Sequence, residues 1–441
     1  MSPRKPPPLI KSHCKIANVK KYLALLFGLA ALLLVGWYGY RTLFEQKSGF
    51  PLAALAEPKA ESRVPTRPGD WHGKIDYQRL DQVFAALTAR PEMAGMAVAI
   101  VEDGELRFVS TYGVTDKDSG EPVTPQTVFR WASVSKGVAG SLAAKLSEEG
   151  KLNLNAPMRR WQSSLRLPGG AESQLTLAQL LSHRTGLTKN AYDTKLEDGE
   201  DPGLLRRQLE AAPLQCLPGT CHSYQNIAFD AASEILGQAA GTLYSDAVEK
   251  RLFRPLGMKS AQFGIVGLTG AKSWARPHRG EKVRTLSESY WRVPAAAGVS
   301  SNIVDLARWM RAQMGENEDV LSSKALALAH APLVSTRRVY SGELARALGD
   351  PYYGLGWRSF TYAGRQLIGH SGAVDGFRST MIFDPATRTG VVAMWNDGWG
   401  RPFRLPFAVL DSYYGLAGHD WLDLSDLPAV KAPPPLPVST S

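Results

Sequence analysis

Ser133-x-x-Lys136 is the pattern in this chain that points most directly to chemistry. A serine hydroxyl attacks a carbonyl only when a neighbour takes its proton, and residues three apart on a helix share a face with Cβ atoms about 5–6 Å apart. Ser135 points elsewhere, about 100° around the helix from Lys136, so Ser133 is the better nucleophile. The same residues would also serve as a helix cap and a solvated lysine; Ser-x-x-Lys alone leaves both readings open. Two later groups bear on the choice. Tyr224-x-Asn226 precedes a helix predicted at about 227–240. Its phenol has a reference pKa of about 10, and a nearby ammonium would favour the anion. The Asn226 amide can donate to a substrate carbonyl and orient Lys136. By itself Tyr-x-Asn reads better as a half-buried core aromatic at Tyr224. In His370-Ser371-Gly372, Gly372 would let a substrate backbone lie along a strand edge, and His370 could donate to it.

These side chains need a frame. Val138, Leu142 and Leu146 recur at near-helical spacing after Lys136, and Gly150 closes the helix. Upstream, Leu80, Val83, Phe84 and Leu87 share one face of a helix over 76–90. Strands over 95–101 and 106–113 flank a turn at Glu102-Asp-Gly104-Glu105 and form a hairpin. Residues 150–345 read mainly as helices and loops. His183 falls near the end of a short helix closed by Gly186 and is expected to be structural. The acidic stretch 190–205 is expected to be a solvated loop. Strands return at 353–358, 366–372, 378–383 and 391–395, the last two joined by a turn over 384–390.

The 441 residues are 44% hydrophobic, ample for a large core. Of the formal charge of +10, seven units come from cations in residues 1–44, which hold no acid, leaving +3 for the rest. The body of the chain shows no basic stripe, which argues against nucleic acid as a partner. No metal site or cofactor motif stands out; Cys216, Cys221 and His222 offer too few ligands. Residues 22–40 are uncharged and mostly apolar, and as a helix would span roughly 28 Å. They read as an uncleaved signal anchor after a cytoplasmic basic segment, residues 1–21. On this reading the protein is a single-pass inner-membrane protein, held to the membrane by that helix, with its catalytic domain in the periplasm. A Pro- and Ala-rich linker covers 41–70, the folded domain 71–425, and a Pro-rich disordered tail 426–441. In an exported domain Cys216 and Cys221 would be free to pair; two unpaired thiols are the alternative.

Taken together, the three motifs resemble the serine β-lactamase and penicillin-recognising family, in its class C β-lactamase, D,D-carboxypeptidase and esterase branch. Tyr224 follows Ser133 by 91 residues and His370 follows it by 237. Leu180-Leu-Ser-His-Arg-Thr-Gly-Leu, Pro218-Gly-Thr, Phe253-Arg-Pro-Leu-Gly-Met258 and Tyr353-Gly-Leu-Gly-Trp are similar as well. The resemblance implies an α/β (α+β) fold of the β-lactamase/transpeptidase type: an antiparallel sheet flanked by helices, with an inserted helical subdomain and the site in the cleft between. It also implies that Ser133 forms an acyl-enzyme and that Lys136 and Tyr224 share the proton work. Asn226, His370, Ser371, Gly372 and Ala373 would bind substrate, with the Ser133 and Ala373 N–H groups holding the oxyanion. The substrate would be a small molecule or a peptidoglycan-like peptide, and the bond an ester, amide, D-amino-acid peptide or β-lactam carbonyl. Where many β-lactamases have Lys-Thr-Gly, this chain has His370-Ser-Gly372, so anion binding there falls unless Arg358, Arg365 or Arg378 substitutes. A catalytically silent binding module of the same family is the alternative.

Overall fold

The computed structural model describes residues 64–336, 342–417 and 419–424. The predicted basic segment, membrane span and Pro-rich tail lie outside them, as does most of the predicted linker. Strand β1 (Gly95–Glu102) is buried at all positions, as a strand is when both faces of its sheet are covered. Its alternation feeds two cores. Met96, Val98 and Ile100 enter one; Ala97, Ala99 and Val101 enter the other. The chain turns at Asp103-Gly104, with φ of 51° and 85°, as a tight hairpin requires, and returns as β2 (Glu105–Gly113). Then come β3 (Phe129–Arg130), β4 (Gln262–Phe263) and β5 (Val299–Ser301), which pair together in a small sheet. The last third supplies β6 (Val334–Ser335), β7 (Leu348–Tyr353), β8 (Arg358–Tyr362), β9 (Arg365–Val374), β10 (Phe377–Asp384) and β11 (Thr389–Trp395). The described residues form an eight-stranded sheet in the order β2-β1-β11-β10-β9-β8-β7-β6, antiparallel throughout.

The helices that frame the site are α1 (Tyr77–Thr88), α2 (Ser135–Glu148), α3 (Leu177–Leu181), α4 (Asp193–Glu197), α5 (Ala231–Ala240), α6 (Ile303–Gln313), α7 (Ser323–His330) and α8 (Leu405–Tyr414). Asp76 caps α1 by accepting from the Arg79 N–H, and Leu80, Phe84 and Leu87 face the sheet. Phe407 and Leu410 of α8 join that core. On the opposite face Leu142 of α2, Met310 of α6 and Leu326 of α7 pack with Ala97, Val392 and Met394.

Two expectations change. The stretch 353–358 is not one strand: β7 ends at Tyr353 and Gly356, with φ of 76°, turns the chain into β8. The inner-membrane, periplasmic placement does not hold, because among the described residues no helix is long and apolar enough to cross a membrane. The longest described helix, α2, has 14 residues and spans about 21 Å, short of a hydrocarbon core of about 30 Å.

Candidate active site

Ser133 lies in a 3-10 turn, Ala132–Val134, just before α2 rather than within it. Two close approaches fix this turn. Ala132 adopts φ of 47°, and the Trp131 carbonyl accepts from Ser379 Oγ at 2.5 Å. A Cβ on Gly372 would fall 2.1 Å from the Trp131 carbonyl oxygen, so only glycine lets β9 run this close to the nucleophile. Behind the turn, Gly140 of α2 lies against the Leu355 carbonyl, where a Cβ would fall at 1.6 Å. The Tyr353-Gly-Leu-Gly-Trp357 turn thus docks backbone to backbone on the helix that carries Lys136.

Lys136 is fully buried, and its Nζ reaches Asn226 Oδ1 at 2.7 Å, the Ala296 carbonyl at 2.9 Å and Ser133 Oγ at 3.2 Å. The first two oxygens can only accept, whereas the serine can also donate. A neutral amine would give its two hydrogens to those acceptors and turn its lone pair to Ser133. Burial pushes Lys136 down to about 7; Asp193 and Asp230 pull the other way, and Arg358 adds to the burial effect. Tyr224 Oη donates to Ser133 Oγ at 2.7 Å. Burial holds this phenol well above its ordinary value, against the expectation that a neighbouring ammonium would favour its anion; the hydrogen bond to Ser133 and the Arg358 charge lower it less than burial raises it.

Tyr224 is braced by His183, whose ring centre lies 4.3 Å from its own. His183 is buried beyond the end of α3, and its Nδ1 accepts the Gln225 N–H at 3.1 Å. Its proton is therefore on Nε2, which donates to Tyr353 Oη at 3.1 Å. Tyr353 donates to His370 Nε2 at 2.8 Å, and His370 Nδ1 donates to the Ser371 carbonyl at 2.8 Å. Burial drives both histidines well below the usual imidazole range. Both nitrogens of His370 are thus engaged inside the protein, and the ring buttresses the strand rather than presenting a donor to substrate.

Ser133, Tyr224, Asn226, His370, Ser371 and Ala373 line one cleft of about 510 Å³. Gly372 lies between, against the nucleophile turn. Of the three arginines, Arg358 lines this cleft, its guanidinium 5.9 Å from the Tyr224 ring centre. Arg378 lines an adjoining cavity, and Arg365 sits over Tyr414. Cys216 and Cys221 form a disulfide, and their sequence neighbours Gln215 and His222 line the cleft.

The family model described as Beta-lactamase matches residues 80–406. The chain belongs to the beta-lactamase family. Within the beta-lactamase family it is 24% identical over 382 residues to unguisins hydrolase ungD of Aspergillus violaceofuscus, covering 79% of this chain and 66% of the relative. Esterase EstB of Burkholderia gladioli is 31% identical over 203 residues, 42% of this chain and 51% of the esterase. The D-aminopeptidase of Gluconobacter oxydans is 27% identical over 336 residues, 72% of this chain and 58% of the relative. The chain thus spans about half to two-thirds of these relatives. The fold matches a penicillin-binding protein homologue from Pyrococcus abyssi (TM-score 0.68, 22% identity, 78% of both chains) and a class C beta-lactamase mutant (TM-score 0.63, 22% identity, 78% of this chain and 100% of the other).

Sequence reasoning missed two members of this candidate site. Asp193, expected in a solvated acidic loop, is buried and accepts from Asn226 Nδ2 at 2.7 Å. Tyr290 lines the cleft and donates to Glu197 at 2.7 Å. Neither carries a spacing signal; only the apolar Ala191 and Leu196, both buried, interrupt the polar run.

Proposed function

We propose that this chain is a serine hydrolase that works through an acyl-enzyme at Ser133, on an ester, amide, D-amino-acid peptide or β-lactam carbonyl. The observation that carries the reading is the convergence of Lys136 Nζ and Tyr224 Oη on one oxygen, Ser133 Oγ, at 3.2 and 2.7 Å. Burial favours the free amine of Lys136 near neutral pH, so Lys136 takes the serine proton as Oγ attacks. Tyr224, still a phenol, protonates the departing oxygen or nitrogen and is reprotonated by the Lys136 ammonium through the shared site. The N–H groups of Ser133 and Ala373 hold the oxyanion. A water then attacks the acyl carbonyl; the Lys136–Tyr224 pair accepts its proton and returns one to Ser133 Oγ as the acid leaves. Asn226 holds Lys136 and keeps one amide hydrogen for the substrate, while His370, Ser371 and Gly372 support the strand edge along which it lies.

A neutral, internally bonded histidine stands where many β-lactamases carry the lysine of Lys-Thr-Gly, which favours ester or peptide substrates over efficient β-lactam hydrolysis. Relatives named an esterase and a D-aminopeptidase support the same ranking. The test is intact-mass analysis of the full chain and Ser133→Ala with a fluorophosphonate, a penicillin and a short-chain p-nitrophenyl ester. A stoichiometric adduct absent from the variant supports the reading, and the substrate that turns over sets the class. A folded protein with no Ser133-dependent adduct is instead a silent binding module.

A further inference from the structure

The cleft does not stop at Ala373. Beyond Ala373, Val374 and Tyr290, which it shares with the cleft, a second cavity of about 560 Å³ opens. It is lined by three guanidinium groups, Arg130, Arg284 and Arg378, and by two carboxylates, Glu197 and Asp375. Most of these have partners. Arg284 Nε lies 3.6 Å from Asp375 Oδ2, Glu197 accepts the Tyr290 hydroxyl at 2.7 Å, and Arg378 donates to the Val374 and Phe377 carbonyls at 2.6 and 2.8 Å.

Arg130 differs. It is only 3% exposed, and its guanidinium carbon sits over Trp291, 3.6 Å from the ring centre. Its Nη2 reaches the Ala297 carbonyl at 3.5 Å, its buried Nε has no hydrogen-bond partner, and among the described residues no carboxylate pairs with it. A buried charge is costly unless paired and hydrogen-bonded, and burial has already pushed this guanidinium down to about 9. No step of the hydrolysis uses it. An anion in the cavity would supply both the counter-charge and an acceptor for charge-assisted hydrogen bonds, with Arg284 and Arg378 lining the same space.

The direction of the cavity says which part of a substrate reaches it. The leaving group takes its proton from Tyr224, beside His222 and Ser223, so it departs on that side. The acyl part runs the other way along β9, past Ala373 and Val374. We propose that this annex binds a carboxylate carried at the far end of the substrate's acyl group, making the protein selective for anionic acyl chains; the proposal rests on the hydrolase reading above.

The test uses the full chain and p-nitrophenyl esters of adipic, pimelic and suberic acids, each bearing a free terminal carboxylate, against esters of unsubstituted acids of the same chain length. Fluorophosphonate labelling normalises every preparation to its folded, active fraction. The readout is the ratio of kcat/KM for the acid to that for its neutral counterpart. A ratio of about tenfold or more is expected at one chain length at least, falling toward one in Arg130→Met and in high salt, and partly kept in Arg130→Lys. Arg284→Met, at the half-exposed rim, gives a second reading if Arg130→Met does not fold; it should lower the ratio as well. A ratio near one in the native chain overturns the annex, as does a stronger preference for a carboxylate placed on the alcohol portion. Calorimetry of Ser133→Ala with free adipate and pimelate separates the two claims. Binding that weakens in the Ser133→Ala/Arg130→Met double variant, without turnover of any ester by the native chain, would keep the annex and sink the hydrolase; turnover without such binding would do the reverse.

Discussion

Asp193 reaches Lys136 only through the amide of Asn226: Oδ2 of the aspartate accepts from Nδ2 at 2.7 Å, and Oδ1 of the same amide accepts from Nζ at 2.7 Å. Turning that amide over would set a donor against the lysine and an acceptor against the carboxylate. Asp193 therefore decides which end of Asn226 the lysine meets, and its charge favours the ammonium form of Lys136.

Replacing Asp193 by Asn keeps an acceptor for the amide but removes the charge. Lys136 should then lose its proton more easily, and the acid limb of the acylation profile should move to lower pH. Fluorophosphonate labelling rates between pH 5 and 9 measure this. Asp193→Ala, which also frees the amide, should lower the plateau about tenfold or more. A limb that stays in place in Asp193→Asn would leave Asp193 as a wall of the cleft and no more.

Lys136 also makes stability depend on pH. Its folded value of about 7 lies below the ordinary 10.5, so between these the unfolded chain holds a proton that the folded chain has released. Stability contributed by this group therefore rises with pH across that window, by at most about 1.4 kcal/mol per pH unit. Urea unfolding of the native chain and Lys136→Met at pH 6, 8 and 10 should show the variant relatively more stable at pH 6 and the advantage shrinking as pH rises. Parallel curves would mean that Lys136 titrates normally. Activity in Lys136→Met should fall by about 10²–10⁴.

Tyr224→Phe removes the hydroxyl that donates to Ser133 Oγ and leaves the ring against His183. If the phenol protonates the leaving group, the loss should grow with the basicity of that group: modest for p-nitrophenyl esters, about 10²–10⁴ for alkyl esters and amides. An equal loss across the series would confine Tyr224 to positioning the serine.

Tyr353→Phe takes one hydroxyl from two buried histidines. The cost should be about 1–3 kcal/mol for each group left without its partner. Because His183 and His370 are held below the ordinary 6.5, the unfolded chain takes up protons first as pH falls, and stability drops below about pH 6.5. Thermal melts between pH 4.5 and 8 should show Tyr353→Phe with a lower midpoint throughout and a gentler acid decline, since histidines freed of a fixed partner can admit water and charge. An unchanged midpoint would show that the hydroxyl bridge contributes nothing.

The periodic parts of the fold were readable from sequence. The apolar run of β1 and the Gly-containing turn after it announced the first hairpin, and the spacing of Leu80, Phe84 and Leu87 announced α1, because burial leaves a local pattern. Ser133, Lys136, Tyr224 and Asn226 were legible for a similar reason: hydroxyl, amine, phenol and amide at fixed offsets. What escaped was non-local. The burial of Asp193 depends on Asn226, 33 residues away. The tautomer of His370 depends on a chain of contacts back to Gln225. The break after Tyr353 follows from the backbone of α2 pressing on Leu355, which no periodicity in 353–358 reports.

The helix that carries Lys136 is buried from Ser135 through Ala144, on every side. It packs against α5, α7 and the turn at Leu355, with Tyr224 and Asn226 in the loop just before α5, so no surface element can fray and release it. Its amides should be among the last in the molecule to exchange with solvent deuterium. Loss of catalysis on heating would then coincide with loss of the whole fold, and a protein still folded enough to keep its sheet would still be armed.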